Sequence, residues 1–291
     1  MNVLLTGIFL LFVGIMGIMP FFVIYRFSDG LRFILSDVIK YRRKVIYSNL
    51  RKAFPGKSET EINSLVRKTY MNLMDNILEG IKTFTLRKSQ LIKRYRINNP
   101  ELITPLIEAN KSIIAVTGHY NNWEWGSLAA SLQIKANFAA LYKPLSNKYI
   151  DKMIYNSRSK CGTELVSIYE TNKTFEKYKD RPTVYLLAAD QSPAKGQLDK
   201  SYWYDFMGIK TAFLYGLEKY AVNNNYPTVY IDIQRVKRGF YEVELSLLSD
   251  KPSQLKDGEL TERYVRKLES VIKKQPENWL WSHRRWKHSP N

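Results

Sequence analysis

The stretch SIIAVTGHYNNWEWG, residues 112–126, decides the fold. Residues 112–117 form a short apolar run of buried-strand composition, closed by Gly118, and helical composition begins at Glu124, so the segment predicts strand, tight turn, helix. Outwards from it the same alternation recurs. Strands are predicted at 136–142 (ANFAALY), 164–168 (ELVSI) and 183–188 (TVYLLA), with helices over about 124–133, 147–160 and 171–179 between them. This is the pattern of an α/β domain, a central sheet flanked by helices. Further on, residues 228–236 and 240–248, separated by Lys237, Arg238 and Gly239, predict a β-hairpin, and Leu260 to Lys274 predict a helix.

Upstream, Ser58 and Glu61 have the spacing of a capping box, and Ile62, Val66, Tyr70, Leu73, Ile77 and Ile81 behind them keep one apolar face. Residues 27–50 mix apolar and basic side chains at helical spacing, as in a segment that rests in a headgroup layer or equally one that packs on the domain. Residues 1–25 carry no charged side chain. The run from Val3 to Tyr25 would rise about 34 Å as a helix against a hydrocarbon thickness of about 30 Å. It is therefore expected to anchor the chain in a membrane, with a buried core helix as the alternative. The basic residues that follow, Arg26, Arg32, Lys40, Arg42, Arg43 and Lys44, place the remainder on the cytoplasmic side. The expected organisation is an anchor over 1–25 and a single domain over 26–291.

Lys and Arg outnumber Asp and Glu by 45 to 27, so anionic partners are expected: phospholipid headgroups, phosphorylated lipids, an acidic carrier protein or nucleic acid. The single cysteine, Cys161, excludes an internal disulfide and a thiolate zinc cluster, and reads as structural. His283 and His288 stand at the far C-terminus and no HExxH motif is present, so no metal site is expected.

A strand-to-helix junction points side chains into the crevice at the carboxyl ends of the strands. His119 lies at such a junction and Glu124 five residues on. Histidine accepts a proton near neutral pH, and a carboxylate on its other ring nitrogen fixes the tautomer and stabilises the imidazolium. Glu124 is the expected carboxylate. No Ser or Cys nucleophile accompanies the pair, so the nucleophile belongs to the substrate. The bland alternative is a satisfied strand-end histidine and a carboxylate favoured by the helix dipole. Asp190, after the strand at 183–188, occupies another crevice-facing position and reads either as substrate-binding or as a turn residue. Near the C-terminus Trp279, Trp281, His283, Arg284, Arg285 and Trp286 interleave aromatics with cations, which suits a membrane interface, a single-stranded nucleic acid or plain packing.

The chain resembles the bacterial lipid A late acyltransferases, the lauroyl and myristoyl transferases. Five collinear stretches carry the resemblance: YRRKVIYSNLRKAFPGKSETE at 41–61, GHYNNWEWG at 118–126, LYKPLSNKYIDKMIYNSRSKCG at 141–162, LLAADQSP at 186–193 and ENWLWSHRRWKH at 277–288. The similarity implies a glycerolipid-acyltransferase-like fold and transfer of a fatty acyl chain from an acyl carrier protein or coenzyme A thioester to a lipid hydroxyl, with no other cofactor. In that reading His119 is the base and Glu124 its partner. Asn122, Arg158 or backbone N–H groups at 123–125 would stabilise the oxyanion, and Lys143, where many relatives place Arg, and Arg158 would hold phosphate or carboxylate on the acceptor. The implied setting is the cytoplasmic face of the inner membrane, among its phospholipids, and no nucleic acid is expected. A different glycolipid, aminolipid or lysophospholipid acceptor, or a silent basic binding protein, are the competing readings.

Overall fold

The computed structural model describes residues 2–288. Five helices come first: α1 (Asn2–Ile18), α2 (Phe21–Phe33), α3 (Arg43–Ala53), α4 (Glu59–Lys82) and α5 (Lys88–Arg94). The α/β part then runs β1 (Tyr95–Ile97), α6 (Thr104–Glu108), β2 (Ile113–Thr117), α7 (Trp123–Gln133), β3 (Asn137–Tyr142), α8 (Lys148–Ser159), β4 (Thr163–Ser167), α9 (Thr171–Lys177) and β5 (Thr183–Ala188). A hairpin of β6 (Ser201–Phe206) and β7 (Ile209–Leu214), helix α10 (Gly216–Asn224), strands β8 (Thr228–Lys237) and β9 (Phe240–Ser249), and α11 (Glu259–Lys274) complete it. The main sheet has seven strands in the order β1-β9-β8-β2-β5-β3-β4, parallel except at the β8–β9 hairpin. The expected strands and helices of the α/β part are present, while the β6–β7 hairpin and α10 lie where no element was expected.

Every residue of β2 is buried, which explains its unbroken apolar run. Alternation sends Ile113 and Ala115 into one core with α2 and α7, and Ile114 and Val116 into the other with α3, α4 and α11. Helix α4 starts at the expected capping box, Ser58 Oγ accepting from the Glu61 amide and Glu61 from that of Ser58. Its first half buries Ile62, Val66 and Tyr70 as its spacing requires. The second half rotates away from the expected face: Ile77 is exposed and Asn72, Asp75, Glu79 and Lys82 are buried instead. Those polar groups are all engaged, so their burial is compensated.

They also correct the reading of the N-terminus. The apolar run is not one span: α1 stops at Ile18 and Pro20, which has no N–H to continue it, caps α2. The 17 residues of α1 rise about 26 Å, short of the hydrocarbon thickness. Among the described residues no helix is long and apolar enough to cross a membrane. Instead one face packs on the domain. Met16 and Ile24 meet Met74 and Leu78 of α4. Lys82 Nζ donates to the carbonyls of Met16, Gly17 and Met19 at 3.1, 2.7 and 2.9 Å, a cation on the negative end of α1. Tyr25 donates to Glu79, Ser28 to Asp75, and Arg238 bridges Asp29 and Asp75. Helix α2 runs through residue 25, so this segment is built into the domain from both sides of the expected boundary. Its outer face stays apolar and exposed, with Leu11 at 67%, Ile18 at 86% and Phe22 at 72%.

Candidate active site

Strands β2 and β5 are neighbours, with Thr117 opposite Ala188. Two residues beyond each stand His119 and Asp190, so the sheet register itself brings them together. Asp190 Oδ1 lies 2.5 Å from His119 Nδ1, and Oδ2 accepts from the His119 backbone N–H at 2.8 Å and from Trp279 Nε1 at 2.7 Å. Gly118 allows this approach, because a Cβ there would sit 2.8 Å from Leu268 Cδ1 and 3.2 Å from Asp190 Oδ2. A C-terminal strap, residues 278–288, closes the loop from outside: Leu280 N–H donates to the His119 carbonyl and Asn121 N–H to that of Asn278.

Burial by itself lowers the pKa of His119, but the charge of Asp190, its hydrogen bond and the charge of Glu124 outweigh it, and the net shift is upward. Burial pushes Asp190 the other way from its partners. The charge of His119 and the hydrogen bonds from the His119 ring, Trp279 and the His119 backbone prevail and hold it at about 2. The two shifts agree: the pair favours imidazolium beside carboxylate. In the neutral ring, with Nδ1 donating to Asp190, Nε2 is the acceptor, and it faces the exposed Gln191, whose amide nitrogen is 3.1 Å away. The Trp123 ring meets the imidazole edge-on at a centroid distance of 5.1 Å.

The carboxylate against His119 is therefore Asp190, where Glu124 was expected. Glu124 is paired with Arg158 at 2.5 Å and reaches His119 only through its field. The reason is geometric. As the second residue of α7, Glu124 projects from the helix towards α8, whereas the imidazole leans towards β5. Asp190 in turn is not a free substrate contact, being nearly inaccessible and fully bonded. Asn122 is likewise occupied: its Oδ1 caps α7 at the Trp125 N–H and its Nδ2 donates to Glu79 at 2.6 Å. Glu79 also accepts from Tyr25 and Tyr241 and is held above the usual carboxylate range by burial. Lys143 is exposed just beyond β3, with no carboxylate partner among the described residues.

The C-terminal aromatic and cationic segment is mostly internal. Trp279, Trp281 and Arg285 are buried, and Arg285 stacks on Phe213 at 4.1 Å. His283 accepts from the Ser192 N–H at 3.0 Å, and burial outweighs the charge of Asp190 and, with those of Arg285, His119 and Lys287, lowers its pKa to about 4. Its part in holding the loop after Asp190 had no signal in sequence, since the segment is separated from that loop by most of the C-terminal half.

The family model described as bacterial lipid A biosynthesis acyltransferase matches residues 2–288. The chain belongs to this family. It is also similar to the lipid A biosynthesis lauroyltransferase of Escherichia coli (strain K12), 24% identical over 274 residues that cover 94% of this chain and 88% of the relative. At β2 and β5 of this lipid A acyltransferase an imidazole has one nitrogen held by a carboxylate and the other facing outward, and among the described residues neither a Ser nor a Cys is bonded to it.

Proposed function

We propose that this acyltransferase moves a fatty acyl chain from an acyl thioester, on acyl carrier protein or coenzyme A, to a hydroxyl of a lipid A precursor. The observation that carries the reading is the 2.5 Å pairing of His119 Nδ1 with Asp190, which leaves Nε2 as the one ring position able to take a proton. The acceptor hydroxyl displaces the Gln191 amide and gives its proton to Nε2 as its oxygen bonds to the thioester carbonyl carbon. The tetrahedral oxyanion collapses, the C–S bond breaks, and the departing sulfur takes the proton from the imidazolium. Asp190 orients the ring and stabilises its charged form. The backbone N–H groups of Trp123 and Glu124, at the start of α7, are the donors best suited to the oxyanion, since Asn122 and Arg158 are engaged elsewhere. Glu124 serves by holding Arg158 beside the site.

The exposed apolar faces of α1 and α2, with Arg26 and Arg32 among them, support seating at a bilayer surface, and for this chemistry the cytoplasmic face of the inner membrane. Lipid mass spectrometry on cells lacking the protein, complemented with wild type or His119→Ala, tests the reading. Loss of one acyl chain from lipid A, restored by wild type alone, is expected. An intact lipid A with a different lipid class depleted would replace the acceptor, and full rescue by His119→Ala would remove the base.

A further inference from the structure

The break between α2 and α3 builds a feature that the reaction above does not use. Lys40, Arg42, Arg43 and Lys44, with Arg284 from the C-terminal strap, line a surface groove of about 750 Å³ floored by Val45 and Tyr47. All five cations are exposed, and no carboxylate lines the groove. Among the described residues Lys40, Lys44 and Arg284 make no ion pair, and Arg43 reaches only Asp37 at 3.9 Å. Five like charges gathered with one distant carboxylate among them repel one another unless an anion sits between them. The backbone is held to this shape at a cost: Lys40 (φ 53°) and Arg42 (φ 49°) are both in the left-handed region, which side-chain-bearing residues adopt with strain.

Two observations indicate which anion. The residues leading into the groove, Phe33, Ile34, Val38 and Ile39, are exposed and apolar, so the cations stand at the edge of a surface suited to lipid. The groove is also fastened to the catalytic loops. Arg42 Nη1 donates to the Ser282 carbonyl at 2.9 Å, and Asn49 Nδ2 to those of Trp281 and His283 at 2.9 and 2.7 Å. That same strap bonds His119 through Leu280, Asp190 through Trp279 and Ser192 through His283. A surface needed only to rest on bulk lipid has no use for a rigid relation to the base. Meanwhile Arg158, expected from the sequence to hold an acceptor anion, is already paired with Glu124.

We propose that this groove binds a phosphate group on the headgroup of the acceptor lipid, holding the acceptor so that its hydroxyl reaches His119. The inference rests on the acyltransfer reading, and its test is separable from it. Lys40→Gln/Lys44→Gln/Arg284→Gln removes three cations that hold nothing else in place. In neutral-detergent micelles, the full chain is assayed on a phosphorylated disaccharide lipid and on its dephosphorylated counterpart. KM for the phosphorylated lipid should rise about tenfold in the variant with kcat unchanged, and KM for the dephosphorylated lipid should stay near that of wild type. An unchanged KM, or an equal rise for both lipids, overturns the proposal. Vesicle sedimentation with and without an anionic phospholipid forms a second arm: loss of vesicle binding with no change in acceptor KM assigns the groove to bulk lipid and also overturns it. If wild type turns over neither lipid, the acyltransfer reading fails. Retention of phosphorylated over dephosphorylated micelles by the His119→Ala chain, lost on adding the triple change, still decides the groove.

Discussion

Replacing Asp190 by Asn is the sharpest probe of how the base works. The carboxylate accepts from the His119 ring, the His119 amide and the Trp279 indole at 2.5, 2.8 and 2.7 Å. A carboxamide has one acceptor oxygen in place of two, and its NH₂ must face one of those three groups. If it faces Nδ1, the ring moves its proton to Nε2 and can no longer take one from a hydroxyl. A tautomer error of this kind costs about 10⁴-fold in kcat in serine proteases, or about 5 kcal/mol at 1.36 kcal/mol per decade, and a loss of about 10³–10⁴-fold is expected here. The pH profile carries independent information. A base works only when neutral, so activity rises with pH through the pKa of His119, which lies above 6.5 in the wild type chiefly because Asp190 overcomes burial. In Asp190→Asn the burial effect loses its main opponent, and the acidic limb of kcat/KM should move to lower pH. The assay is kcat/KM across mildly acid to mildly alkaline pH in mixed micelles, with melting temperatures to confirm folding. A folded variant with turnover within a factor of a few of wild type and an unmoved limb would refute the pairing as the source of basicity.

Other outcomes follow from the same geometry. Glu124→Gln should leave the acidic limb nearly in place, because its charge acts on His119 more weakly than burial or Asp190, and should lower activity less than Asp190→Asn does; an equal or larger pH shift would reverse the roles of the two carboxylates. Asp190 is held at about 2 against about 3.9 in an unfolded chain, so its pairing contributes stability that is complete above pH ~4 and lost as pH falls towards 2. That contribution is about 2–3 kcal/mol, and urea midpoints of wild type and Asp190→Asn should converge over this range. Gly118→Ala puts a methyl 2.8 Å from Leu268 Cδ1 and 3.2 Å from Asp190 Oδ2 and should lower the melting temperature and reduce kcat by about tenfold or more, whereas wild-type kcat would mean that Asp190 has room to move. Lys82→Met removes three hydrogen bonds to the end of α1 and should destabilise its docking by about 1–3 kcal/mol, seen as faster amide exchange in α1 and α2 with the sheet unaffected.

Much of the architecture was legible because it is local. Apolar runs of strand length, a capping box at Ser58 and a turn at Lys237–Gly239 each declare themselves within a few residues, and the structure has strands, helix and hairpin there. The apolar N-terminus was legible as apolar but not as to what it meets. Hydropathy cannot distinguish a span from a helix with one face on a domain, and the deciding groups, Lys82, Glu79 and Asp75, lie more than 40 residues away.

His119 at a strand end was likewise evident from sequence alone, and a carboxylate was expected beside it. Which carboxylate was decided by the sheet. Glu124 is five residues away along the chain but turns with α7 towards Arg158, while Asp190 is 71 residues away and adjacent because β5 inserts beside β2. Had β3 taken that place, another loop would face the imidazole. Strand order is settled by how whole helices and strands bury their apolar faces together, a property of the folded chain and of no single stretch of it.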